Sequence, residues 1–467
     1  LVKGAKVLGY KISKITKQRE TVGVLLPNAV GAVVSFFALQ AYHRVPAILN
    51  FSVGSKMMDL ACKTAEVKTI LTSKEFIRLA KLDGALRDLE QSYKIVFLED
   101  IKENLTFWDK VSGIMQRYSS GSISPDEPAV VLFTSGSEGT PKGVALSHRN
   151  ILANIAQVGA RIDFSPRDII FNALPIFHSF GMTGGMLLPI LSGLKTFMYP
   201  SPLHYRIIPE LVYDINATVL FGTDTFLANY AKQADPYDFY SVRYFVAGAE
   251  KVKPETRQLY MQKFGKTILE GYGATECAPV LAVNTPMHFK IGTVGRLMPQ
   301  LQHRLEPVPG VKEGGRLWVK GPNVMLGYYR AEKPAVLEAP EDGWYDTGDI
   351  VTIDDEGYVT IQGRAKRFIK TGGEMVSLTA VEQIVDEIWS GYGHAAAGRP
   401  DPKKGEQLVL VTEYPEADRK QILEAIQARG LSELICPRVI ITVNTLPLLG
   451  TGKLDYRAID ELVRAKG

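Results

Sequence analysis

Eight short apolar, β-branched runs spaced by helical patterns constrain the fold most: residues 21–26, 69–71, 94–98, 129–134, 168–173, 218–222, 244–247 and 267–272. Such alternation predicts an α/β chain whose mostly parallel sheets are covered by helices. Parallel strands present ligands at their carboxyl ends, so the loops after Phe133, Ala173, Phe221, Ala247 and Leu269 are expected to gather. From Thr293 the pattern turns to punctuated strands (295–306, 316–320, 358–362), predicting a small β-rich subdomain. After Arg364 an α+β pattern follows: strand 368–371, helix 378–388, strand 407–412, helix 418–428 and strand 439–443. The domain boundary is placed near Gly363, giving domains 1–363 and 364–467 with the β-rich part at 293–363.

With 54 basic and 50 acidic residues the chain of 467 is too weakly charged to suggest a nucleic-acid partner. Its three cysteines, Cys62, Cys277 and Cys436, lack zinc or disulfide spacing, and a reducing cytosol fits them. The longest apolar stretches, 29–42 and 180–194, are shorter than a membrane span. The chain opens at Leu1 inside a predicted helix over 2–15, which reads as a processed or truncated start.

The segment VLFTSGSEGTPKG (Val131 to Gly143) ends an apolar run in glycines, hydroxyls and a lysine. Glycines let backbone N–H groups approach an anion, Thr134, Ser135, Ser137 and Thr140 add donors, and Lys142 adds charge. A nucleotide polyphosphate is the indicated ligand, and a Gly/Ser-rich surface turn is the alternative. The segment is not a Walker A loop, because Lys142 is followed by Gly143 and not by a magnesium-binding hydroxyl.

Five further segments accompany it in order: LPIFHSFG (174–181), EGYGATE (270–276), GWYDTGD (343–349), GRAKRFIKTGGEMVS (363–377) and PLLGTGKLD (447–455). Together they resemble the adenylate-forming superfamily of acyl-CoA synthetases, luciferases and peptide-synthetase adenylation domains, over essentially the whole chain. The resemblance implies an N-terminal adenylation domain that binds ATP and the acyl group, and a mobile C-terminal domain carrying Lys453. It implies that Thr134, Ser135, Gly136, Ser137, Gly139, Thr140 and Lys142 hold the ATP phosphates, that Thr275 touches the α-phosphate and that Glu276 ligates Mg2+. A carboxylate suits this hard cation; an exposed loop acid is the alternative for Glu276.

By the same resemblance, Gly248, Ala249 and Glu250 line one side of adenine, Gly271 to Gly273 the other, with Tyr272 stacked there or simply a core aromatic. Asp349 and Arg364 would contact the ribose, a vicinal diol suited to a carboxylate. Lys453 would meet the carboxylate and α-phosphate during adenylation, against the plain alternative of a solvated tail lysine. Lys366 falls at the hinge, and rotation there would withdraw Lys453 and bring Thr371, Gly372, Gly373 and Glu374 over a pantetheine tunnel. His178 either gates the passage between ATP and acyl pockets or packs against Phe177 and Phe180.

Residues 199–280 resemble most the acyl-acyl carrier protein synthetase half of bacterial bifunctional 2-acylglycerophosphoethanolamine acyltransferases. The expected reaction is ATP- and Mg2+-dependent activation of a medium- to long-chain fatty acid, then transfer to acyl carrier protein. A long-chain acyl-CoA synthetase is the alternative, and a non-catalytic nucleotide-binding regulatory module is the alternative of another class. No histidine is followed five residues later by Asp, so these residues are expected not to include the acyltransferase half, and membrane association through it is expected only as part of a larger fusion. The expected location is the cytoplasm, or the cytoplasmic face of the inner membrane for the fused form. Met182, Gly184, Gly185, Gly222, Thr223 and Phe226 would border the acyl pocket. Lys366, Arg367, Arg399, Lys403, Lys404 and Arg438 are candidate docking charges for an acidic carrier protein.

Overall fold

The computed structural model describes residues 1–115, 124–135, 140–309, 311, 313–371, 374–401, 405–448 and 454–466. The chain divides into two compact units, Leu1–Gln302 with Lys320–Tyr345, and His303–Val319 with Asp346–Gly467. The expected β-rich segment 293–363 is thus divided about equally between the two units, and a functional boundary near Gly363 remains a proposal.

The first unit holds two sheets. In the seven-stranded sheet, Ile169–Asn172, Val219–Gly222, Tyr244–Ala247 and Ile268–Gly273 are successive parallel neighbours, with Lys195–Met198 outside Ile169–Asn172. Two antiparallel strands, Val280–Val283 and Arg296–Leu297, finish the other edge. The eight-stranded sheet has a parallel part, Thr21–Val24, Val45–Ile48, Thr69–Thr72, Lys94–Phe97 and Pro128–Ser135. It ends in antiparallel strands Pro141–Ser147, Gly327–Arg330 and Lys333–Glu338. The α/β expectation is met, with antiparallel edges added.

Side chains explain these boundaries. Runs such as Tyr244–Ala247 are buried at every position, as strands covered on both faces require. Ser147 and Asn150 form a reciprocal capping box that starts the helix His148–Gly159. The helix Pro254–Phe264 begins with Pro at its first position and ends on the left-handed Gly265. One apolar cluster joins the helix Val30–Ala41 to both sheets, through Phe36, Leu39, Leu132, Phe171 and Phe245 among others. At roughly 25 cal/mol per Å2 of apolar surface, burying each large side chain of this cluster contributes about 1.5–3 kcal/mol.

The second unit carries a four-stranded sheet, in which Tyr345–Ile353 lies between Gly315–Lys320 and Val359–Arg364. It also carries a five-stranded sheet of Phe368–Thr371, Glu374–Ser377, His394–Asp401, Gly405–Thr412 and Val439–Thr442. The helices Leu378–Ile388 and Arg419–Ala428 contribute Val381, Val385, Ile422 and Ile426 to its core. Among the described residues no helix is long and apolar enough to cross a membrane.

Candidate active site

Five strands of the seven-stranded sheet run parallel, so the segments after Asn172, Gly222, Ala247 and Gly273 emerge at one end. That end carries His178, Thr223, Gly248 to Glu250, and Thr275 with Glu276. The expectation that these loops gather is met for this sheet, whereas Phe133 belongs to the eight-stranded one.

The segment 131–143 forms an antiparallel hairpin, with Thr134 opposite Lys142 and Phe133 opposite Gly143. Gly136, Ser137 and Gly139 lie outside the described residues, as does the Ser135 side chain. Thr140 and Lys142 are half-buried, and Lys142 Nζ lies 5.3 Å from the centroid of the Tyr328 ring.

Glu276 follows strand Ile268–Gly273 in a short 3-10 turn and is buried at 9 % exposure. It is therefore not the exposed loop acid of the alternative reading. Tyr328 donates its phenol proton to Glu276 Oε1 at 2.7 Å, and Met325 N donates to the Glu276 carbonyl at 2.8 Å. Burial, reinforced by the Glu276 charge, holds the Tyr328 phenol well above its usual range, so it is a donor at neutral pH. Tyr345 in turn hydrogen-bonds to Tyr328 and is pushed up chiefly by burial. Thr275 Oγ1 lies 3.3 Å from Ser179 Oγ.

These groups offer oxygen donors only, the chemistry that Mg2+ prefers. Among the described residues no three His, Cys, Asp or Glu side chains converge on a possible metal position. A single carboxylate fits an ion that keeps its waters and takes its other ligands from phosphates, so Glu276 is the residue that would hold it.

The loop bearing His178 is fixed by Asn28, in the segment that follows strand Thr21–Val24. Asn28 Nδ2 donates to the Leu174 carbonyl at 2.6 Å, and Ile176 N donates to Asn28 Oδ1 at 3.0 Å. A Cβ on Gly181 would lie 2.4 Å from the carbonyl oxygens of Leu174 and Pro175, so only glycine lets the loop fold back. His178 is exposed and its ring lies 4.7 Å from that of Phe177; its gating role remains a proposal.

The adenine segment has a second occupation. Glu250 Oε2 accepts from the N–H and hydroxyl of Thr225, capping the helix Asp224–Gln233, and Ala249 takes a left-handed φ of 69°. Tyr272 is buried at 8 % exposure and Gly271 packs on Val283.

Several small residues expected at the acyl pocket face neighbouring side chains. A Cβ on Gly185 would lie 2.1 Å from Asn172, one on Gly184 3.3 Å from Phe180, and one on Gly222 2.8 Å from Leu227. Thr223 accepts from Phe226 N as a helix cap, and Met182, Thr223 and Phe226 are all buried. Gly184 and Gly185 lie within a π-helix, Phe180–Leu187, a form that recurs at functional sites.

In the second unit, Asp349 and Arg364 are register partners, with Arg364 Nε 3.3 Å from Asp349 Oδ1. Thr371 pairs with Glu374 in a hairpin whose tip, Gly372 and Gly373, lies outside the described residues. The Lys366 and Glu374 side chains, and Lys403, Lys404 and Lys453, also lie outside them. The Arg367 guanidinium is held by Glu382 at 2.5 Å and lies 3.7 Å from the Tyr456 ring centroid. Arg399 bonds Gln407 at 2.9 Å.

Tyr328, Tyr345 and Ser179 escape sequence reasoning. Ser179 sits inside a recognised segment, and only the fold shows it against Thr275. Tyr328 reaches Glu276 through a strand pairing distant in sequence, for which no local pattern exists.

A doubly sheeted α/β unit followed by a small α+β unit is the fold of the adenylate-forming class. Residues 12–329 match the AMP-binding enzyme family, and the chain belongs to that family. It is 31% identical over 442 residues to a Salmonella typhimurium long-chain-fatty-acid–CoA ligase, covering 90% of this chain and 77% of that enzyme. The Escherichia coli O6:H1 enzyme of the same name is 31% identical over 76% of this chain, which spans only 65% of its length. Among solved structures, ATP-bound MatB from Rhodopseudomonas palustris superposes with a TM-score of 0.84 at 24% identity, covering 99% of this chain and 92% of that one. The o-succinylbenzoate CoA synthetase of Bacillus subtilis with its acyl-adenylate gives 0.83 at 20% identity, covering 98% and 91%. The two likenesses establish the fold.

Proposed function

We propose that this chain is an AMP-forming ligase that activates a medium- to long-chain fatty acid and passes it to the thiol of coenzyme A. The attachment of Lys142 to the ring and of Glu276 to the hydroxyl of one residue, Tyr328, carries the reading, because a cation and a separate hard-oxygen anion held this way suit a triphosphate and its metal. The fatty acid and coenzyme A come from the names of the relatives. The likeness of residues 199–280 to acyl carrier protein synthetases supports the carrier protein as the competing acceptor.

In the first reaction the fatty acid carboxylate oxygen attacks the α-phosphorus of ATP, the bond to the β-phosphate oxygen breaks, and pyrophosphate leaves. Lys142 balances phosphate charge, and Thr275 donates toward the α-phosphate. Bound at Glu276, Mg2+ would neutralise phosphate charge during this displacement. Asp349 accepts from the ribose hydroxyls, and Lys453 offsets the charge gathering at the attacked phosphorus. In the second reaction the thiolate attacks the acyl carbonyl, the acyl–phosphate bond breaks, and AMP departs.

Fatty-acid-dependent exchange of labelled pyrophosphate into ATP tests this reading. Palmitate or a medium-chain acid should support exchange, and Glu276→Gln should lower it about a hundredfold or more, as loss of a transition-state charge partner does. Exchange that ignores added fatty acid, or that survives Glu276→Gln, contradicts it. A nucleotide-binding module without turnover would give none.

A further inference from the structure

The strand Gly327–Arg330 joins its sheet antiparallel to Pro141–Ser147, with Tyr328 opposite Val144. Lys142 precedes Val144 by two residues and shares its face, so the register lays the Tyr328 ring diagonally against Lys142. The ammonium stands 5.3 Å from the ring centroid, within cation–π range. Arg330, paired with Glu338, lies 5.5 Å from the same centroid. At the ring's far end the phenol donates to Glu276 Oε1 at 2.7 Å, and Tyr345 hydrogen-bonds to the phenol.

The two charges assigned to the nucleotide are thus both held by one neutral side chain. A lysine or arginine beside Glu276 would neutralise it and weaken its attraction for a divalent cation. A phenol restrains the carboxylate's rotation and leaves its charge. The ring face holds the Lys142 ammonium in the same way, and a carboxylate there would compete with phosphate.

We propose that Tyr328 is a positioning residue that fixes Glu276 by its hydroxyl and Lys142 by its ring, keeping both charges available to a metal–triphosphate. The inference rests on the reading of Glu276 and Lys142 given above. It assigns Tyr328 no contact with the reacting atoms.

The experiment measures Mn2+ binding to the full chain at saturating ATP by electron paramagnetic resonance, and ATP binding in EDTA by calorimetry. Tyr328→Phe should weaken Mn2+ binding about tenfold or more, as loss of an outer hydrogen bond to a metal ligand does. Its ATP affinity in EDTA should stay within about twofold, because the ring remains over Lys142. Tyr328→Leu should lower ATP affinity in EDTA as well, by about fivefold, through loss of the ring. Should Tyr328→Phe fail to fold, Tyr345→Phe carries the same test, with an expected loss of about threefold in Mn2+ binding through the shared network. Wild-type Mn2+ binding in the folded variant overturns the inference alone. A wild-type chain that binds Mn2+ no better with ATP than without it overturns the underlying reading too.

Discussion

Asp349 and Arg364 face each other across the antiparallel strands Tyr345–Ile353 and Val359–Arg364, with Nε and Oδ1 3.3 Å apart. The carboxylate is buried and the guanidinium largely exposed, at 8% and 76%. A carboxylate so held is suited to accept from two vicinal hydroxyls. Replacing ATP by 2′-deoxy-ATP should therefore cost the wild type about tenfold in affinity, the size of a lost hydrogen bond to a charged group. Asp349→Asn should bind both nucleotides weakly and nearly alike. Equal binding of both nucleotides by the wild type would remove Asp349 from the ribose site.

Asp168 supports the sheet that carries the site. Burial pushes its carboxyl up, but bonds from the Thr218 hydroxyl, Ser165 N and Arg243 outweigh this and hold it below its usual range. The stabilisation is therefore present above the unfolded value, near about 4, and is lost as pH falls through the lower folded value. Urea denaturation should show Asp168→Asn weaker than wild type by about 1–3 kcal/mol at pH 7. The gap should close as the medium is acidified below pH ~4. A gap constant with pH would place the effect elsewhere.

Gly185 is packed against Asn172 so closely that an added methyl has no room, at 2.1 Å, whereas at Gly184 the nearest atom is a Phe180 ring carbon at 3.3 Å. Gly185→Ala should destabilise by about 1–3 kcal/mol, as overpacking does, and Gly184→Ala by less. Thermal melting compares them. If the acyl chain runs beside Gly184, its alanine variant should shift preference toward shorter acids while melting nearly as wild type.

Much of this architecture can be read locally. Tyr244–Ala247, Phe368–Thr371 and Leu378–Ile388 begin and end where their periodicity places them. Val45–Ile48 is hidden because Pro46 argues against a central strand, yet it lies between Thr21–Val24 and Pro128–Ser135. His394–Asp401 is hidden because its alanines and glycine have low strand propensity; pairing along all of Gly405–Thr412 overrides this. The glycine- and hydroxyl-rich turn and Glu276 stand out by composition. Tyr328 does not, since its role comes from a non-local register.

The central claim is that the chain makes acyl-adenylate from a fatty acid and delivers the acyl group to coenzyme A. The direct measurement supplies the protein with labelled palmitate, ATP and Mg2+ together with coenzyme A or holo-acyl carrier protein, alongside Lys453→Ala. The account predicts labelled palmitoyl-CoA, AMP and pyrophosphate in equal amounts, with adenylation lost in Lys453→Ala. Label passing to the carrier protein in preference to coenzyme A would contradict the acceptor, and no pyrophosphate release on adding palmitate would contradict the activation itself.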